Sequence, residues 1–162
     1  MNALTQPEQR FSHSFETLRQ IAQDALDYAA RRGATACMLE ISDGFGQTVT
    51  VRKGDVETIE YNRDKGIGIS VYVGLRRGNA NTSDFSPQAV RDTVDAALSI
   101  ASHTAHDECA GLPEPELLAR EFPDLDLYHP WALSVEQAID LARECEQAAF
   151  ALGQMRDKSS IP

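Results

Sequence analysis

The sequence is short of several things, and each shortage excludes a class of protein. It has three cysteines, Cys37, Cys109 and Cys145, an odd number that leaves one over in any disulfide scheme. A disulfide-dense mini-protein is therefore excluded, and reduced thiols in a reducing compartment are expected. No stretch approaches the ~18 consecutive apolar residues of a membrane span. The first fifteen residues, MNALTQPEQRFSHSF, are polar and include Pro7, so they hold no apolar core of signal-peptide length. Basic residues are scarce, with 15 Lys plus Arg against 25 Asp plus Glu and a formal charge of −10. Phosphate backbones and anionic lipid repel such a chain, which argues against nucleic-acid and membrane partners. Internal repeats and low-complexity segments are also missing. What remains is the expectation of a soluble, cytoplasmic protein.

What is there suits one globular domain. A length of 162 residues is close to the ~150 residues expected per domain. The apolar share of 42% and charged share of 25% are ordinary for a folded soluble chain. Residues 1–13 read as a flexible arm, 14–153 as the folded unit and 154–162 as a polar tail.

The spacing predicts a helix over 14–32, because Phe15, Leu18, Ala22, Ala25 and Ala29 recur at three- and four-residue steps. Ser14 is its N-cap and Gly33 its stop. The period then shortens to two. Strands are expected over 36–42, 45–52, 56–61, 66–73 and 75–82. The turns expected between them lie at Asp43-Gly44, at Lys53-Gly54-Asp55 and near Gly74, with a polar loop over 62–65. Val56 and Ile59 are out of phase and predict a bulge. Short connections leave no room for parallel crossovers, so the strands should form an antiparallel meander. Ser86-Pro87 opens a second helix with Val90, Val94, Ala97, Leu98 and Ala101 as its stripe. Residues 103–133 lack periodicity and read as a long surface loop. Ser134-Val135-Glu136-Gln137 fits a capping box. It opens a third helix whose buried face would be Ala138, Ile139, Ala142, Cys145, Ala149 and Leu152. The expected fold is α+β, an antiparallel meander sheet of about five strands packed with about three helices.

The chemistry-bearing residues are sparse. His103, His106 and Cys109 recur every three residues, and His and Cys are zinc ligands. They begin where the second helix ends and lack a fourth ligand at a standard spacing, so a surface role is expected. Glu57 and Glu60, three apart on a strand, should project from opposite faces. Asp124, Asp126 and His129 sit in a proline-flanked loop with no nucleophile to activate. Gly66-x-Gly68 opens a strand rather than a helix and is no dinucleotide fingerprint. Cys37 and Cys145 fall on predicted apolar faces, leaving Cys109 as the candidate reactive thiol. No catalytic, cofactor-binding or metal residue is expected from these patterns. The polar strand 75–82 is an edge that could accept an extended peptide.

The order of several segments resembles a known family. Gly54-Asp55-Val56-Glu57, the run Gly66-Ile67-Gly68-Ile69-Ser70-Val71-Tyr72, the run Gly78-Asn79-Ala80-Asn81-Thr82-Ser83-Asp84 and the helix after Ser86-Pro87 are similar to the N-terminal domain of the TldD/PmbA family. Cys109-Ala110-Gly111 and the segment from Pro123 to Pro130 resemble its PmbA (TldE) branch. The resemblance runs from about Phe15 to Leu152. It implies a subunit of a cytoplasmic zinc metallopeptidase complex that processes unstructured polypeptides. In that family the zinc sits on a His-Glu-x-x-x-His helix of the TldD-type subunit, a motif with no counterpart here. This implies no cofactor in this chain and zinc in the partner. The implied partner is a TldD-type subunit, or a second copy by self-association. Family proteins are considerably longer, so 154–162 reads as a probable truncation point. The expected role is structural, through fold and subunit contact. A free-standing peptide-binding or regulatory module of the same fold is the alternative. An independent metalloenzyme using His103, His106 and Cys109 is a third reading.

Overall fold

Two turn signals in the alternating region face one another across a pair of strands, and that pairing decides the sheet. β1 (Ala36–Arg52) and β2 (Asp55–Val73) form one long antiparallel hairpin in the computed structural model, which describes residues 11–129 and 131–151. β3 (Arg76–Thr82) pairs with the last part of β2, giving a three-stranded sheet in the order β1-β2-β3. The five-strand expectation is corrected to three. Asp43-Gly44 and residues 62–65 do not interrupt the strands, because Asp43 pairs with Lys65, Gly44 with Asp64, Phe45 with Arg63 and Gly46 with Asn62. Turn residues permit a turn but do not impose one, and here cross-strand pairing outweighs them. The turn at Lys53-Gly54 does form. Both residues take positive φ, 54° and 84°, as a two-residue turn matched to strand twist requires.

The expected bulge is present. Val51 pairs with Val56 but Thr50 pairs with Thr58, so Glu57 is the extra residue. This slip returns Val56 to the face that carries Ile59. One face of the hairpin then reads, from base to tip, Cys37/Val71, Leu39/Ile69, Ile41/Ile67, Asp43/Lys65, Phe45/Arg63, Gln47/Tyr61, Val49/Ile59 and Val51/Val56.

α1 (Phe15–Arg31) and α2 (Pro87–His103) cover the base of that face. Ser14 caps α1, its hydroxyl accepting from the Thr17 amide at 3.1 Å. Gly33, at φ 97°, closes the helix, with Ala34 N–H donating to Ala29 O and Gly33 N–H to Ala30 O. Ser86 caps α2 with Pro87 in the first turn. The core is Ile67, Ile69 and Val71 from β2, Ala25 and Ala29 from α1, and Phe85, Val90, Val94, Ala97 and Ala101 at and along α2. Burying each of the larger aliphatic side chains stabilises by roughly 1.5–3 kcal/mol. Phe15 of the predicted α1 stripe is instead 81% exposed.

α3 (Val135–Ala151) starts with the expected capping box. Ser134 N–H donates to Gln137 Oε1 at 2.9 Å, and Gln137 N–H donates to Ser134 Oγ at 3.2 Å. Its predicted buried face needs correction. No residue of α3 is fully buried, Cys145 is exposed, and Ala138, Ile139, Ala142 and Ala149 are only half-buried. α3 lies along β1 toward the hairpin tip rather than in the helix layer. Leu152 and the tail lie outside the described residues, as does residue 130. Among the described residues between α2 and α3 the chain is irregular apart from one short 3-10 turn, Pro115–Leu117. No helix among the described residues is long and apolar enough to cross a membrane.

Candidate functional site

Polar chemistry gathers at several places among the described residues. The first is the bridge between α1 and α2. Tyr28 OH donates to Asp95 Oδ2 at 3.0 Å and Arg32 Nε donates to Asp95 Oδ1 at 2.8 Å. Donating to the carboxylate favours the neutral phenol, so the Tyr28 hydroxyl titrates above its ordinary range. Beside it a shallow cavity of about 200 Å³ has an apolar floor of Ile21, Ala25, Phe85 and Val90, with Asp24, Asp27, Arg31 and Arg91 around it. Opposite charges already stand together there, so the cavity carries no strong preference for a cation or an anion.

The second is the clasp at the middle of the hairpin. Asp43 Oδ2 accepts from the amides of Ser12 and His13 at 3.0 Å each, and His13 Nδ1 lies 3.0 Å from the same oxygen. The Asp43 side chain is only 6% exposed, so these partners replace the water it loses. The His13 ring packs 5.0 Å from the Phe85 ring, and Lys65 Nζ stands 5.0 Å over that same ring. Among the described residues the contacts of His13 are with Asp43 and the Phe85 ring, and the cluster reads as the fastening of the segment before α1 onto the sheet.

The third is the sheet face turned away from the helices. Alternation places Met38, Glu40 and Ser42 of β1, Gly66, Gly68 and Ser70 of β2, and Asn79 and Asn81 of β3 there. Two adjoining hollows of about 220 and 350 Å³ lie along it. The hollows exist because the central strand carries glycine at 66 and 68. A Cβ at Gly68 would meet nothing within 4 Å. Ser70 Oγ donates to Asn79 Oδ1 at 2.7 Å, which orients that amide. This trough offers hydrogen-bond donors and acceptors and one carboxylate, Glu40. Its room and polar lining suit an extended chain or a small polar group.

The residues singled out from sequence do not converge. His103 ends α2, with Nδ1 2.8 Å from Ser99 O and 2.9 Å from Ser102 Oγ. His106 and Cys109 are exposed beyond it. Among the described residues no three His, Cys, Asp or Glu side chains come together to hold a metal ion, so the donor set does not fit zinc. Glu57 is the bulge residue, 3.4 Å from Arg52 Nη1, while Glu60 pairs with Thr48. Asp124 Oδ1 accepts from Asp126 N–H at 2.9 Å in a local turn, and His129 lies 3.8 Å from Asp126. Sequence reasoning missed Asp43, Asp95 and Glu146. Each acts across 30 to 93 residues of chain, and no local spacing signals such a contact.

Cys37 is half-buried, and desolvation pushes its thiol above the ordinary range. Cys109 and Cys145 are exposed. In native protein at pH 8, Cys109 and Cys145 are expected to alkylate faster than Cys37 by about tenfold or more. In urea all three should react alike. Mass mapping of iodoacetamide adducts over time checks this, and equal native rates would contradict the packing given for Cys37.

Comparison with known proteins assigns this arrangement to a class. Residues 37–101, from the start of the hairpin through α2, match the family model for PmbA/TldA metallopeptidase domain 1. The sequence is 44% identical over 138 residues to the metalloprotease PmbA of Escherichia coli O157:H7, covering 83% of this chain and 31% of that protein. It is 41% identical over 135 residues to the PmbA homolog of Haemophilus influenzae, covering 83% of this chain and 30% of that protein. The crystal structure of TldE from Thermococcus kodakarensis superposes with a TM-score of 0.58 at 17% identity, over 78% of this chain and 30% of that one. The chain therefore belongs to the PmbA/TldD metallopeptidase family, and its domain is the family's first. Within the family it is of the PmbA/TldE type and corresponds to the N-terminal part of such a protein. It spans about a third of the length of the curated relatives it matches.

Proposed function

We propose that this domain is a structural and subunit-contact element of a PmbA-type subunit, within a zinc metallopeptidase complex of the TldD/PmbA family that processes unstructured polypeptides. The chemistry of such a complex would come from a TldD-type subunit, where zinc would reside. One observation carries this reading. The inward face of the β1–β2 hairpin continues past the helix layer as an apolar row, and its β2 side stays exposed at Val56, Ile59 and Tyr61. An apolar row left open on a helix-covered face suits a protein contact. The dispersed donors at His103, His106 and Cys109 support a role without a metal centre of its own.

Co-expression with a TldD-type subunit of the family tests the proposal. The chain is expected to co-purify with that subunit, to carry no stoichiometric zinc alone and to leave a denatured polypeptide uncut alone. Cleavage by the pure 162-residue product, or bound zinc resistant to dialysis, would overturn it. A second reading, a free-standing peptide-binding module, is supported by the glycine-floored trough. Fluorescence anisotropy with labelled extended peptides separates the two, because saturable binding abolished by Gly68→Leu would favour the module.

A further inference from the structure

The tip of the hairpin holds a carboxylate between two main-chain amides. Arg52 and Asp55 are the last strand pair, so the amides of Lys53 and Gly54 lie beyond the ladder, which supplies them no acceptor. Both residues take positive φ, 54° and 84°. Successive amides in such a turn face one side and form a small anion-binding concavity. The concavity is filled. Lys53 N–H donates to Glu146 Oε1 at 2.5 Å and Gly54 N–H to Glu146 Oε2 at 2.6 Å. Each amide takes its own oxygen. That fork suits a planar two-oxygen anion and not a spherical one such as chloride.

We propose that this turn is a binding site for carboxylates carried by polypeptides, and that Glu146 is its built-in, exchangeable occupant. The two amides belong to the hairpin, and the register of β1 and β2 sets the turn that presents them. The site therefore persists when its occupant leaves. The occupant reaches it from α3, an element with no fully buried residue. Arg143, three residues before Glu146, adds one bond from its Nε to Gly54 O at 2.9 Å. A tethered carboxylate competes at millimolar effective concentration, so a visiting chain must add contacts of its own. Val56 supplies ground for them: it is 37% exposed, two residues past Gly54, and shares its face with exposed Ile59 and Tyr61. An acidic side chain and a chain-terminal carboxylate present the same fork. The inference does not rest on the subunit-contact reading, since it concerns what the turn binds and not which subunit lies beside it.

Amide shifts of the nitrogen-15-labelled full chain test the proposal. Glu146→Ala is titrated with sodium acetate at constant ionic strength held with sodium chloride. The Lys53 and Gly54 amides are expected to move downfield and saturate, while residues 67–71 of β2 stay in place and report an intact core. The unaltered chain should need at least about tenfold more acetate, because Glu146 competes. Adding Lys53→Gly keeps positive φ accessible and removes the ammonium, so affinity should fall by less than about threefold. Adding Gly54→Ala instead should weaken binding by about tenfold. A methyl there would meet nothing within 4 Å, so that variant acts through φ alone. The side-chain and terminal sources are separated by N-acetylglutamic acid α-amide and N-acetylleucine, and saturation by either supports the site. No saturable shift at Lys53 and Gly54, equal shifts with sodium chloride alone, loss of binding on Lys53→Gly, or phosphate binding more tightly than acetate would overturn the proposal. Each of those results leaves the subunit-contact reading to its own co-purification test.

Discussion

Gly78→Ala is expected to destabilise the domain by about 3 kcal/mol or more, from overpacking against backbone. Gly78 is buried in β3 on the face that meets α2. A methyl group there would land on the Ala97 carbonyl and the Ala101 amide. These are main-chain atoms of a helix, with no flexible side chain to swing aside. Relief requires α2 to lift from β3, which opens the core around Val94 and Ala97, both fully buried. Domains of this size are stable by only ~5–15 kcal/mol, so the variant should show a large shift of the urea midpoint. Gly68→Ala is the matched control. It adds the same methyl to the neighbouring strand on the opposite face, where nothing lies within 4 Å. It should change stability by less than about 1 kcal/mol. A Gly78→Ala effect as small as that of Gly68→Ala would mean that α2 can slide without loss.

Glu146→Ala is expected to release α3 from the hairpin while leaving the core intact. Glu146 accepts from the Lys53 and Gly54 amides at 2.5 and 2.6 Å, and Arg143 Nε donates to Gly54 O at 2.9 Å. The turn adopts positive φ at both residues, which points its amides outward to a single carboxylate. Hydrogen bonds to a charged acceptor contribute roughly 1.5–3 kcal/mol each, and α3 has no fully buried residue to replace them. Amide exchange across Val135–Ala151 should therefore accelerate by about a hundredfold, while β2 residues 67–73 keep their protection. Unchanged exchange in α3 would show that the half-buried alanines and Ile139 hold it without the carboxylate.

Both predictions rest on contacts the linear sequence does not display. Gly78 stands in a stretch, Arg76–Thr82, whose alternation already places it with Ala80 and Thr82. What cannot be read there is how closely α2 approaches. Glu146 occupies an exposed-looking position of an amphipathic helix, and its partner turn lies 92 or 93 residues away. The sheet shows the same limit from the other direction. Asp43-Gly44 and residues 62–65 are good turn residues, and each alone argues for a break. They are opposite one another in the register, so extending one strand lets the other extend, and the segment before α1 then occupies the Asp43 carboxylate.

The sequence alone determined the helices, their caps at Ser14, Ser86 and Ser134, the tip turn at Lys53-Gly54, the bulge near Val56 and the family. Those features are local, written in hydroxyls next to free amides, in residues tolerant of positive φ, in the phase of apolar positions and in the order of short segments. Only the tertiary structure decided that five expected strands are three. It also placed α3 at the hairpin tip rather than over the core, and paired residues 55–66 with β1 alone among the described residues. Those outcomes depend on which polar groups find partners far along the chain, and pairing across such distances leaves no periodic trace in either partner.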